Sequence, residues 1–116
     1  MAVRRIKPNI LSDDFEASSR FYRDLIGLDG GHGLDWILFF GGEVREVQLS
    51  VMKLDVRAGV HADVSIEVDD LDDVHARCVA AGAEIVYPLT DEPWGLRRFF
   101  VRDPSGTVVN VTQHHE

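Results

Sequence analysis

Residues 12–27, SDDFEASSRFYRDLIG, and residues 68–82, VDDLDDVHARCVAAG, are two versions of one pattern. Ser12-Asp13-Asp14-Phe15 aligns with Val68-Asp69-Asp70-Leu71, and the apolar residues Phe15, Tyr22 and Leu25 recur at the same intervals as Leu71, Cys78 and Ala81. Those intervals put each trio on one side of an α-helix. Each segment stops at a glycine, Gly27 or Gly82, where a left-handed residue ends a helix and starts a strand. Two copies with a period of roughly 55 residues are too long and too few for a solenoid. The repeat therefore predicts a closed, pseudo-symmetric domain with a concavity between its halves.

Strand signals surround both helices. Arg4 to Leu11 reads as a first strand, and Pro8, which has no N–H for a ladder, assigns it to an edge or a bulge. Ser12 or Asp13 caps a helix running to about Ile26, with acidic residues in the first turn where the helix dipole favours them. Three short strands follow near 28–32, 36–40 and 44–52, separated by glycines. In the last, Val47, Leu49 and Val51 alternate with Glu46, Gln48 and Ser50, so the polar face becomes the expected pocket lining. Residues 53–59 connect the halves without a long Pro, Ser or Gly linker.

The second half repeats that order. Val60 to Val68 is a strand, Asp69 or Asp70 caps the second helix, and Asp69, Asp70, Asp72 and Asp73 read as caps and dipole partners rather than a metal site. A strand from Ala83 to about Pro88, a loop TDEPWG and a strand from Leu96 to Arg102 come next. Asp103-Pro104-Ser105-Gly106 has the composition of a type I turn feeding a hairpin, and Thr107 to Gln113 is the last strand. The fold class is α+β: two tandem βαβββ modules, about 1–55 and 60–116, forming a curved mixed sheet with a cup-shaped pocket in one domain.

A chain of 116 residues buries about two thirds of its unfolded surface, enough for one core. The single cysteine, Cys78, excludes an internal disulfide framework and lies on the helix stripe as a core residue. Twelve basic against twenty acidic residues give a net charge of -8, which repels phosphate backbones and argues against nucleic acid as a partner. The same acidity either draws in a cationic small molecule or serves solubility alone. The start, MAVRRIKPNILSDD, lacks an apolar h-region and no apolar run is long enough to cross a bilayer, so a cytoplasmic location is expected.

The segments DDFEASSRFYRDLIGL, VSIEVDDLDDVHARCVAAGAEI and WGLRRFFVRDPSGTVVNVTQ resemble the glyoxalase / bleomycin resistance protein / extradiol dioxygenase family, the vicinal oxygen chelate superfamily. The resemblance covers nearly the whole chain. It implies paired modules curled into a cup, commonly completed in a homodimer, with one metal ligand on each of four strands in metal-dependent members. Carried over, those places fall on Lys7, Gln48, Asp63 and Asn110. An ammonium has no lone pair to give, two amides offer neutral oxygens, and one carboxylate is a poor cage for zinc, iron or nickel. No metal and no other cofactor is expected. A register slip of two residues would bring Asn9 and His61 into the cup, and His61 is then the candidate ligand. His32, His75, His114 and His115 form no HxH or HxxxH pair.

A simpler arrangement has Lys7 facing Asp63, the ammonium standing where a metal would neutralise the pocket; otherwise both are rim charges. Among the aromatic residues, Trp36, Phe40 and the loop residue Trp94 are candidates for the pocket, where planar rings suit flat ligands. Of Arg97 and Arg98, one should point to the mouth, and Arg97 is taken as the ligand-binding residue. The expected function is metal-independent binding of a small aromatic or cationic ligand by a homodimer, such as sequestration of a drug of the bleomycin type. The alternative is a metal-dependent lyase, isomerase or dioxygenase using His61 or Glu67 as base.

Overall fold

A computed structural model describes residues 3–44 and 48–114. They divide into two compact units, one of residues 7–61 and one of residues 62–114 together with residues 3–6. The first unit contains β1 from residue 7 on (whole strand Val3–Leu11), α1 (Phe15–Ser19) with a π-helical continuation (Arg20–Leu25), β2 (Asp29–Leu34), β3 (Ile37–Gly41) and β4 (Gln48–Met52). The second contains β5 (Val64–Val68), α2 (Leu71–Ala80), β6 (Ile85–Glu92), β7 (Leu96–Arg102) and β8 (Val108–His114). Both are βαβββ modules, the α+β arrangement read from the repeat.

The strand orders repeat as well: β2-β3-β4-β1 in the first unit and β6-β7-β8-β5 in the second. The sheet is mixed, because β1 pairs with β4 and β5 with β8 in parallel, while the other pairs within each unit are antiparallel. The parallel pair joins the first and last strands of each module. That requires a long crossover, which the helix and hairpin supply. β1 is not the edge strand that Pro8 suggested: residues 9–11 pair with β4 and residues 3–6 belong with the second unit, so Pro8 lies between the two parts.

The two helices behave differently. α2 buries Leu71 completely, and Leu71 joins Val68, Phe99 and Val111 in the core of the second unit, with Val74, Cys78 and Ile85 packed around them. Cys78 is thus a packing residue, as its place on the stripe implies. α1 buries nothing. Its expected course as one α-helix to Ile26 is corrected: after Ser19 the chain widens to a π-helix, and the Ile26 amide donates to the Phe21 carbonyl at 3.0 Å, five residues back. The extra residue per turn rotates the stripe, leaving Leu25 76% exposed and Phe21 and Ile26 also in the open.

Capping is met locally in one helix and from a distance in the other. Asp14, one residue after the expected cap, accepts the Ala17 amide at 3.0 Å, and Ser12 Oγ accepts the Asp14 amide at 3.1 Å. Asp70 holds the cap position of α2 but its carboxylate takes no helix amide. Instead Gln113 of β8 accepts the Leu71 amide through Oε1 and donates Nε2 to the Asp69 carbonyl, both at 3.1 Å. Three carboxylates of the acidic run have cationic partners, Asp69 with Arg4, Asp70 with Arg77 and Asp72 with Arg97.

Three boundaries differ from the sequence reading. Trp36 is in the Asp35-Trp36 turn of the β2–β3 hairpin rather than on a strand. β5 starts at Val64, not Val60. β6 runs through Thr90 to Glu92, so the TDEPWG loop shrinks to a turn at 93–95, closed by the Gly95 amide on the Glu92 carbonyl at 3.2 Å. Of the expected fourth strand, residues 45–47 lie outside the described residues. Gly33 is obligatory for β2, because a Cβ there would sit 2.1 Å from the Ile37 carbonyl oxygen. The Asp103–Gly106 turn forms as read, with Gly106 donating to the Asp103 carbonyl at 3.0 Å.

Replacing Gln113 with leucine removes the α2 cap and leaves both backbone groups unpaired. Urea unfolding should show a loss of about 1–2 kcal/mol. The Asp103 carboxylate accepts the Ser105 hydroxyl and the Thr107 and Ser105 amides, and these bonds, the hydroxyl first, lower its pKa. Its stabilisation is therefore present above the ordinary carboxylate range and lost as pH falls through the lowered value. Asp103→Asn should flatten the acid limb of the stability–pH curve relative to the parent protein.

Candidate functional site

Strand alternation gives each sheet a helix-covered face and a helix-free face. In the second unit Phe99 is on the covered face with Leu71, so its neighbours Arg98 and Phe100 are on the free one. Register extends that face: Phe100 is opposite Asn110, which is opposite Ser65, and Arg98 is opposite Thr112, which is opposite Glu67. β6 adds Tyr87, opposite Phe100, and Glu92. Strict alternation would place Tyr87 with Ile85 on the core side. Register shifts on either side of Tyr87 turn it over, and Pro88, which has no N–H, falls in the second.

The centre of this face is an ion pair. Arg98 Nε donates to Glu92 Oε2 at 2.6 Å, and the two side chains are 5% and 0% exposed. The Tyr87 hydroxyl donates to the same oxygen at 3.1 Å. The guanidinium carbon lies 5.1 Å from the ring centre of Tyr87, 5.3 Å from Trp94 and 4.9 Å from Phe100. Carboxylate and rings together offset the desolvation of the cation. Nearby, Glu67 accepts from His114 Nδ1 at 3.1 Å and has Arg5 Nε at 3.6 Å.

Arg97, the residue expected at the ligand, is on the covered face and bonded to Asp91 at 2.9 Å and Asp72 at 3.2 Å. Those bonds, Asp91 first, raise the pKa of its guanidinium further. Trp94 is in the β6–β7 turn, 39% exposed, and its ring is one wall of the Arg98 box. Arg98 is the alternative that the sequence offers to Arg97, whereas nothing in the sequence points to Glu92 or Tyr87. The Arg-Arg-Phe-Phe run held the signal for Arg98, since a strand must give its two arginines to opposite faces.

In the first unit Phe39 and Asn9 are both opposite Ser50, which puts them with Gln48 and Lys7 on one face. Lys7 Nζ lies 4.7 Å from the Phe39 ring centre. Phe40 is on the other face, buried against Tyr22 at 5.7 Å between ring centres, so the exposed ring beside Lys7 is Phe39. Trp36 is half-buried at the hairpin turn, its carbonyl accepting the Lys53 amide at 3.0 Å. His61 Nε2 is 2.9 Å from the Asn9 carbonyl oxygen.

The four places that metal-dependent relatives of this resemblance would use are thus two to a unit, Lys7 and Gln48 in one, Asp63 and Asn110 in the other. They do not fit a transition ion. Lys7 brings a positive charge and no lone pair. The Asn110 amide nitrogen donates to Ser65 Oγ at 3.0 Å, which leaves its neutral Oδ1 buried. Asp63 is exposed, its amide donating to the Val108 carbonyl at 3.0 Å. Among the described residues no three His, Cys, Asp or Glu side chains converge as a metal site requires.

The sequence profile of the Glyoxalase/Bleomycin resistance protein/Dioxygenase superfamily matches residues 6–111. The chain belongs to this superfamily. Its fold is similar to that of a superfamily member from Vibrio splendidus 12B01, at 18% identity and a TM-score of 0.73, with 97% of this chain and 99% of that one covered. Methylmalonyl-CoA epimerase from Mycobacterium tuberculosis is similar at 17% identity and a TM-score of 0.70, over 98% of this chain and 88% of that one. The Mn(II)-bound glyoxalase from Novosphingobium aromaticivorans is similar at 20% identity and a TM-score of 0.60, over 96% of this chain and 38% of the other. No curated protein matches the sequence. At these identities the superfamily likeness carries the fold and no particular reaction. Among the described residues, no helix of this superfamily member is long and apolar enough to cross a membrane.

The buried pair dictates how its variants behave. Arg98→Met alone leaves a buried carboxylate and should cost about 3–5 kcal/mol in urea unfolding, whereas Arg98→Met with Glu92→Leu should recover most of that loss. A loss in the double variant equal to the sum of the losses in Arg98→Met and Glu92→Leu alone would show that the pair is not coupled.

Proposed function

We propose that this superfamily member is a metal-independent binding protein for a small aromatic or cationic molecule, acting as a homodimer, with sequestration of a drug of the bleomycin type as one realisation. The observation that carries the reading is the donor set: where metal-dependent relatives need electron-pair donors, this chain has the Lys7 ammonium beside the Phe39 ring, the neutral amides of Gln48 and Asn110, and only Asp63 as carboxylate. Flat rings and a few polar groups on helix-free faces suit a ligand held by contact and charge. The exposed apolar residues Phe21, Leu25 and Ile26 of the first unit support a second copy covering them.

One observation favours an enzyme instead. Glu67, with a side chain 14% exposed and held by His114 on the free face, supports a role as proton acceptor. The alternative lyase, isomerase or dioxygenase would need a metal that the four residues above do not accommodate.

Elemental analysis of purified protein should find less than one transition ion per ten chains, and stability should not change with chelator. A stoichiometric ion whose removal destabilises the chain would favour the enzyme. Titration with bleomycin or a flat cation should change the emission of Trp36 or Trp94, and light scattering should give the mass of two chains. No emission change with any aromatic or cationic ligand would remove the binding reading, and a monomer at all concentrations would remove the dimer.

A further inference from the structure

The first unit leaves an apolar helix face uncovered. Phe21, Leu25 and Ile26 are 48%, 76% and 59% exposed. In a π-turn, residues four and five apart share a side, so Leu25 and Ile26 both stand over Phe21. The Ile26 amide on the Phe21 carbonyl fixes that grouping, and the Tyr22 ring backs Phe21 edge-on at 5.1 Å. Tyr22 itself turns inward to Phe40. The three exposed side chains amount to on the order of 300 Å², the size at which an apolar patch marks an interaction site.

The charges along the patch say what covers it. Arg20 and Asp24 are also four apart and immediately precede Phe21 and Leu25, so they border the face with opposite signs at its two ends. Each is paired only with an exposed neighbour on the same helical segment, Arg20 with Glu16 at 3.0 Å and Asp24 with Arg23 at 3.1 Å. Surface pairs of this kind hold a side chain weakly, so both charges can also serve an incoming partner. We propose that a second copy of this chain docks on this face with its helix antiparallel, about a two-fold axis. Phe21 then meets the partner's Leu25 and Arg20 meets the partner's Asp24, each contact occurring twice. This rests on the homodimer reading and assigns its interface. The patch is smaller than the ~800 Å² per partner of a standard interface, so the dimer is weak and sensitive to salt.

Sedimentation velocity of the full chain, from roughly 1 to 300 μM, follows the range in which a weak dimer dissociates. Leu25→Asp should be monomeric throughout while keeping the circular dichroism of the parent. Val79→Asp, at a comparably exposed apolar position on α2, should leave the dimer intact. Arg20→Asp and Asp24→Arg should each weaken the dimer about tenfold, because symmetry doubles the repulsion, and the exchange Arg20→Asp/Asp24→Arg should restore it to within about threefold. If Leu25→Asp does not fold, the exchange of charges at these exposed positions decides. A dimer that survives Leu25→Asp, or that Val79→Asp disrupts as much, overturns this proposal and leaves the homodimer reading standing. No recovery in the exchanged variant overturns the antiparallel pairing. A parent chain that is monomeric throughout overturns this proposal and the homodimer reading together.

Discussion

A charge taken out of water must be neutralised where it sits, and the Arg98–Glu92 pair on the free face of β6 and β7 meets that requirement. Much else in the second unit follows from it. The pair links two strands that are already hydrogen-bonded neighbours and lies close to the turn that joins them. It holds Tyr87 by its hydroxyl and gives Phe100 and Trp94 a cation to lie against. The register shifts that turn Tyr87 to the free face are what allow all three rings to meet one guanidinium. On the opposite face the same strand, β7, supplies Phe99 to the core and Arg97 to Asp72 of α2. One period-two strand thus ties an apolar core to a charged surface, without either intruding on the other.

The two modules share an order of elements but use their helices differently. α2 is short, packed through Leu71, and capped by a glutamine from β8, so it is fastened to its sheet at its first residue. α1 changes to a π-helix after five residues and presents apolar side chains outward. A wide turn satisfies its amides through longer-range bonds, such as Ile26 to Phe21, while giving up burial. The two halves share a topology, but α2 seals the core of its unit with Leu71, whereas α1 and its continuation leave Phe21, Leu25 and Ile26 exposed although Ile37, Phe40, Val51 and Met52 of the same unit are buried.

The order of strands and helices was legible because periodicity and punctuation are local: alternation in β7 and β8, glycines after both helices, and the Asp-Pro-Ser-Gly turn each act within a few residues. What escaped were features made by distant residues or by one-residue shifts. Gln113 as a cap for Leu71 depends on two positions 42 residues apart. Phe39 rather than Phe40 beside Lys7, and Arg98 rather than Arg97 in the ring box, each turn on strand parity, which the sequence left open by one position. Tyr87 could not be assigned to its face at all, since alternation gives the wrong answer across a bulge. The places carried over by resemblance, Lys7, Gln48, Asp63 and Asn110, are two to a unit.

A crystal structure of the protein, with an anomalous scan for transition metals, tests the account most directly. The account requires the Arg98 guanidinium bonded to Glu92 with the Tyr87, Trp94 and Phe100 rings around it, and no ordered transition ion at Lys7, Gln48, Asp63 or Asn110. A metal ion ligated by Asp63 and Asn110, or an Arg98 side chain turned out to solvent, would contradict it.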